Sequence, residues 1–134
     1  MPLRSGSQSI PFKNIKELAG KPLFAWSLSA AIESNCFDSI LVATDSRDMG
    51  NLVKDWFDTD VEVVSRTAQS ATSEAPTETV MMEILKQRAF DVICLVQATS
   101  PLTKACHFME AKKAFEQNSL DSLFTGVLRK SFYW

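Results

Sequence analysis

Two basic residues, Arg4 and Lys13, bracket a run of small and polar side chains, Ser5-Gly6-Ser7-Gln8-Ser9, and Asn14 follows directly. A loop of this kind exposes backbone N–H groups and can bend around an anion. Gly6, lacking a Cβ, lets the backbone approach a ligand closely. Arg4 would offer phosphate oxygens a planar fork of donors, and Lys13 a mobile point charge. Composition alone leaves a second reading open, a Ser/Gly-rich N-terminal tail.

Other chemistry is limited by what the chain carries. Cys36, Cys94 and Cys106 are odd in number and widely spaced, and His107 is the single histidine. No C-x-x-C or Cys/His ligand spacing is present, which argues against structural zinc. Unpaired thiols of this kind fit a reducing compartment. The formal net charge is −2, so bulk charge gives no reason to expect nucleic acid as a partner. Phosphate binding would have to come from a local site. No apolar run reaches the length of a membrane span, and the polar N-terminus does not read as a signal peptide. The expectation is a cytoplasmic protein with no membrane partner.

The 134 residues suit one domain with a single core. Their pattern sets out the elements that would hold the loop. Phe24, Leu28, Ala31 and Ile32 recur at helical spacing, and Pro22 suits a first turn, so a helix is expected to about Asn35. Ser39–Thr44 reads as a strand, and Asp45-Ser46 can cap the next helix. That helix carries the cleanest stripe, Met49, Leu52, Val53, Trp56 and Phe57. Val61–Val64 reads as a strand, followed by a polar, aperiodic stretch from Ser65 to Pro76, long enough to be a functional loop. Pro76–Arg88 is expected to be a helix burying Met81, Ile84 and Leu85. Val92–Val96 is a continuous apolar run, as in a strand covered on both faces. It leads into the polar turn Gln97–Leu102. Ala105–Gln117 is expected to be helical, burying Phe108, Ala111 and Phe115, and Ser122–Val127 to be a further strand. The alternation argues for a mostly parallel α/β sheet with helices on both faces. In such sheets ligands bind at the carboxyl ends of strands. The loops after Val64 and Val96 would lie there. The opening loop would lie there only if a strand precedes it, and only Met1-Pro2 stands ahead of Leu3.

The opening stretch, Leu3 to Asn14, resembles the A-R-G-G-S-K-G-I-P-x-K-N loop of the cytidylyltransferases that activate sialic acids and related sugar acids. Arg4, Gly6, Ser7, Ile10, Pro11, Lys13 and Asn14 match it; Ser5, Gln8 and Ser9 depart from it. Further segments follow in family order: Lys13-Asn14-Ile15 through Gly20-Lys21-Pro22-Leu23, Phe37-Asp38, Thr44-Asp45-Ser46, Gln97-Ala98-Thr99-Ser100-Pro101-Leu102 and Asp121-Ser122-Leu123-Phe124. The resemblance therefore spans nearly the whole chain. It implies a three-layer α/β/α, Rossmann-like sheet of the nucleotide-diphospho-sugar transferase type in truncated form, residues 1–134 being one nucleotide-binding domain. The family's chains begin with an apolar strand before this loop and continue well past the position of Trp134.

The resemblance also implies roles. Arg4 matches an arginine on the CTP phosphates, and Lys13 a second basic loop residue. Ser7 matches a loop serine facing the phosphates, and Gln8 stands where the family has a phosphate-binding lysine. Asn14 matches a residue that reads the base, and Arg66 an arginine near cytosine. Thr77 falls where the family has a small hydroxyl residue, although a helix-start threonine explains it equally well. Gln97 matches a glutamine on the sugar-acid side. Asp45 reads as a helix cap with a site carboxylate as the alternative. The implied reaction transfers CMP from CTP to a sialic acid or related nonulosonic acid, with pyrophosphate leaving. Mg²⁺ is the implied cofactor, its carboxylate ligands lying beyond this chain, and a homodimer is the implied partner arrangement. The chain by itself is expected to turn over slowly or not at all. The other function class that fits is a degenerate, non-catalytic nucleotide-binding or oligomerisation module, which Gln8, Ser5 and Ser9 favour.

Overall fold

A computed structural model describes residues 1–6, 10–72 and 74–128. Strand β1 (Pro2–Leu3), strand β4 (Leu41–Thr44) and strand β5 (Glu62–Ser65) form a parallel sheet in the order β1-β4-β5. Helix α1 (Leu23–Ser34) makes the crossover from β1 to β4, and helix α2 (Arg47–Phe57) the crossover from β4 to β5. Helix α3 (Thr77–Gln87) and helix α4 (Ala105–Gln117) follow. Between β1 and α1 lie a single turn of 3₁₀-helix at Lys13–Ile15 and a small antiparallel hairpin of β2 (Glu17–Leu18) and β3 (Lys21–Pro22).

The helices form where the periodicity places them. In α2, Met49 and Val53 are buried and Leu52 and Phe57 partly so, while Trp56 at the stripe's edge stays exposed. Ser46 caps α2 by accepting the Met49 N–H at 3.3 Å, which satisfies one of the helix's free donors. Asp45 therefore is not the cap. Helix α1 ends where Asn35 adopts a left-handed conformation, a habitual stop for asparagine. It is buried around most of its circumference, through Phe24, Ala25, Ser27, Leu28, Ala30, Ala31 and Ser34. Gly50 lets α2 settle onto the sheet, since a Cβ there would stand 3.1 Å from Val63 Cγ1. Leu3, Phe24, Leu28, Val42, Met49, Val53, Val61 and Ala98 make one continuous core.

Several expectations are corrected. The residues ahead of the loop do form a strand: Pro2 pairs with Ala43, and Leu3 with Thr44. Residues 17–22, read only as a lead-in to the helix, form the hairpin, turned by Ala19 and Gly20 with φ of 49° and 83°. Two positive φ values suit the twist of a two-residue hairpin. Val92–Val96 and Ser122–Val127 join no ladder among the described residues. Val92 is 61% exposed and Phe124 94%. An apolar run becomes a strand only when a neighbour supplies hydrogen-bond partners. On α3, Val80 is the buried residue, Met81 and Ile84 are partly covered, and Leu85 is exposed. On α4, Phe108, Ala111 and Phe115 are only partly covered. Phe108 meets Phe37 edge-on at 5.4 Å.

Candidate functional site

The register of the sheet sets out the site. Leu3, Thr44 and Ser65 form one row across β1, β4 and β5. The next residue of each strand is Arg4, Asp45 and Arg66, so one carboxylate and two guanidinium groups leave the carboxyl edge side by side. Arg66 is tied to that edge by its own N–H, which donates to the Thr44 carbonyl at 3.0 Å.

The opening loop is fastened at both ends. The Ser5 N–H donates to Asp45 Oδ1 at 2.9 Å, and the Ser5 hydroxyl to Asp45 Oδ2 at 2.6 Å. At the far end Phe12 takes a left-handed φ of 51° and opens the 3₁₀ turn. That turn directs Asn14 inward, where it is buried and its Nδ2 donates to the Arg4 carbonyl at 3.2 Å. Asn14 thus latches the loop's end to its beginning. The turn after residue 96 is anchored from beneath, where fully buried Ser27 on α1 donates to the Ser100 carbonyl at 2.9 Å.

These anchors enclose a cavity of about 300 Å³. Arg4, Lys13, Asn14, Arg66, Thr77 and Gln97 all line it. Of the residues singled out from the sequence, Ser7 and Gln8 lie outside the described residues, and the structure brings the remaining six together. Asp45, beneath the loop, is not part of the lining.

Charge in the site is unevenly compensated. Partial burial opposes ionisation of Asp45, but the two Ser5 hydrogen bonds and the nearby Arg66 outweigh it and hold the carboxyl below its ordinary value. Arg66 is pushed down chiefly by burial and also by Arg4, against the pull of Asp45 and Glu83. Its Nη2 donates to the Ser70 carbonyl, and its buried Nε has no partner among the described residues. A buried donor without an acceptor is costly, so a bound anion at this point would relieve it. Two guanidinium groups and a lysine around a cavity constitute an anion site of the kind phosphates require.

A family model described as "Cytidylyltransferase" matches residues 1–131. The chain belongs to the cytidylyltransferase family. This member is 38% identical over 132 residues to N-acylneuraminate cytidylyltransferase A of Danio rerio. It is 39% identical over 132 residues to the N-acylneuraminate cytidylyltransferase of Oncorhynchus mykiss. In each case the alignment takes in 98% of this chain and 30% of the relative. A bacterial N-acylneuraminate cytidylyltransferase, from Streptococcus agalactiae, is 33% identical over 126 residues, covering 92% of this chain and 30% of the relative. The chain therefore spans about a third of the length of these relatives. In fold it is similar to a CMP:2-keto-3-deoxy-manno-octonic acid synthetase solved with CTP. The TM-score is 0.75 at 16% identity, over 88% of this chain and 46% of the other. That likeness establishes the nucleotide-diphospho-sugar transferase type of Rossmann-like α/β fold.

Sequence reasoning missed one carboxylate that supports the site and ranked another second. Asp45 reads first as a cap and only alternatively as a site carboxylate, although its place directly after an apolar strand is a signal for the carboxyl edge. Glu83 gave no signal beyond a polar position on α3. Its carboxylate accepts from the Thr67 and Ser70 hydroxyls of the loop that carries Arg66.

Proposed function

We propose that this cytidylyltransferase domain binds CTP in the cleft and takes part in transferring CMP to a sialic acid or related nonulosonic acid, with release of pyrophosphate. The observation that carries the reading is the convergence of Arg4, Lys13, Asn14, Arg66, Thr77 and Gln97 on one cavity at the carboxyl edge of the sheet.

In this reading Arg4 and Lys13 hold the triphosphate and neutralise charge as the α-phosphorus is attacked. Catalysis of this type is mainly positioning together with electrostatic stabilisation. Ser7 and Gln8 extend the phosphate contacts from the opening loop; Gln8 offers a donor without the charge of a lysine. Asn14 and Arg66 read the base, Thr77 adds a hydroxyl beside the nucleotide, and Gln97 faces the sugar acid. The anomeric hydroxyl of the sugar acid bonds to the α-phosphorus, and the bond to the pyrophosphate oxygen breaks.

Mg²⁺ belongs to the proposal as the cofactor. Among the described residues no three His, Cys, Asp or Glu side chains are grouped to hold a metal ion, so these residues do not by themselves form a metal site. A cytoplasmic location and a homodimer are parts of the same proposal. Among the described residues no helix is long and apolar enough to cross a membrane.

The test pairs a CTP titration with a pyrophosphate-release assay containing CTP, Mg²⁺ and N-acetylneuraminate, on this chain and on its full reading frame. Binding by the chain and turnover by the full frame are expected; no CTP binding by either would refute the reading. A second reading, a non-catalytic nucleotide-binding module, is favoured by the neutral Gln8. Binding without turnover in both proteins would select it.

A further inference from the structure

We infer that Glu83, outside the cleft, is a positioning residue that sets the Arg66 guanidinium by anchoring the turn it bonds to. Glu83 lies on α3 and is not among the cavity's lining residues. Its two carboxylate oxygens gather three donors from one short turn. Oε1 accepts from the Thr67 hydroxyl. Oε2 accepts from the Ser70 hydroxyl at 2.7 Å and from the Thr67 N–H at 3.4 Å.

The turn is also tied within itself, through Ser70 N–H to Thr67 Oγ1 at 3.3 Å and Ala71 N–H to the Thr67 carbonyl at 3.2 Å. Ser70 is fully buried, and its carbonyl accepts from Arg66 Nη2. Arg66 is thereby fixed twice. The sheet holds its backbone through Thr44, and the turn holds its side chain through Ser70. Glu83 is the only link from α3 to that turn among the side-chain hydrogen bonds of the described residues. Hydrogen bonds to an ionised acceptor are stronger than neutral ones, so a carboxylate suits an anchor of this kind. Its charge also draws on Arg66 without occupying the space where a ligand would sit. A long side chain fixed before binding has less freedom to lose when the ligand arrives.

The inference rests on the cleft being a nucleotide site, and the experiment separates the two. Amide exchange without nucleotide reads the anchor alone, and CTP titration reads its consequence. In Glu83→Ala, faster exchange at Ser70 and Ala71 is expected, together with CTP affinity weaker by about tenfold, the loss of roughly one good hydrogen bond. Glu83→Gln, which keeps one acceptor oxygen at the same reach but loses the charge, should fall between the unsubstituted protein and Glu83→Ala. In an Arg66→Ala background Glu83→Ala should add nothing, because its effect runs through Arg66. Thr67→Val removes one donor to Glu83 and the acceptor of the Ser70 N–H from an exposed position and should weaken CTP in the same direction, which carries the test should Glu83→Ala fail to fold. Unchanged exchange at Ser70 in a folded Glu83→Ala protein would overturn the anchor. Equal losses with and without Arg66 would overturn its action through Arg66. Altered exchange at Ser70 in a protein whose unsubstituted form binds no CTP would uphold the anchor and sink the nucleotide reading.

Discussion

Ser5 grips Asp45 with two hydrogen bonds, its N–H on one carboxylate oxygen at 2.9 Å and its hydroxyl on the other at 2.6 Å. The pair joins the first residues after β1 to the first residue after β4. It places Arg4 beside the end of β4, whose other neighbour, β5, leads into Arg66. Ser5 is a position at which the chain departs from its family's glycine, and here the added hydroxyl has a definite partner. The departure therefore braces the loop.

That brace is titratable. Asp45 sits below its ordinary value of 3.8 in the folded protein. A carboxyl lowered on folding stabilises the fold above its unfolded value, and the contribution is lost as pH falls through the folded value. The Ser5 amide resonance is expected to stay constant from neutral pH down to about pH 5 and to titrate with a midpoint below 3.8. A midpoint above that value would contradict the brace. Asp45→Ala should abolish the titration and speed Ser5 amide exchange at every pH.

Arg66→Ala should weaken CTP binding by about 10- to 150-fold, the span given by one hydrogen bond to a charged group. Calorimetric titration at fixed salt measures it. The substitution removes the Nε that has no partner among the described residues, but also the donor to the buried Ser70 carbonyl, so thermal stability should change little while affinity falls. A folded Arg66→Ala protein with full affinity would remove Arg66 from the nucleotide site.

Cytidine nucleotides should bind in preference to purine nucleotides. Asn14 and Arg66 line the same cavity, and a site built to pair with one base leaves buried groups unsatisfied with another. Competition of ATP and GTP against labelled CTP checks this, and equal displacement by either would remove the base-reading role from both residues.

Two stability changes of opposite sign test the frame beneath the site. Leu28 is fully buried in the core, and Leu28→Ala should cost about 2–5 kcal/mol. Ala19 holds a left-handed φ of 49° directly before Gly20. Ala19→Asn should raise stability by up to about 1 kcal/mol, since asparagine tolerates that conformation and Asn-Gly is the preferred hairpin pair. Urea denaturation of both variants gives the two signs.

What the sequence by itself determined follows from local rules. The spacing of Met49, Leu52, Val53 and Phe57 dictates one face of α2, and Ser46 starts that helix by capping chemistry confined to a few residues. The two strands at Leu41–Thr44 and Glu62–Ser65 were legible as apolar runs between turn residues. Arg4, Lys13, Asn14, Arg66, Thr77 and Gln97 were legible as a set because the family pattern records their order. Tertiary structure decided the rest, because strands and sites are made by partners distant in sequence. Pro2–Leu3 is too short to read as a strand, and becomes one only through Ala43 and Thr44. Val92–Val96 has the composition of a strand and stays outside any ladder among the described residues, because composition supplies no hydrogen-bond partner. Asp45 reads first as a cap and Glu83 as an ordinary acidic residue until the fold brings Ser5 to the first and Thr67 and Ser70 to the second. Their partners stand 40 residues away in one case and 13 and 16 in the other, a separation that no local pattern encodes.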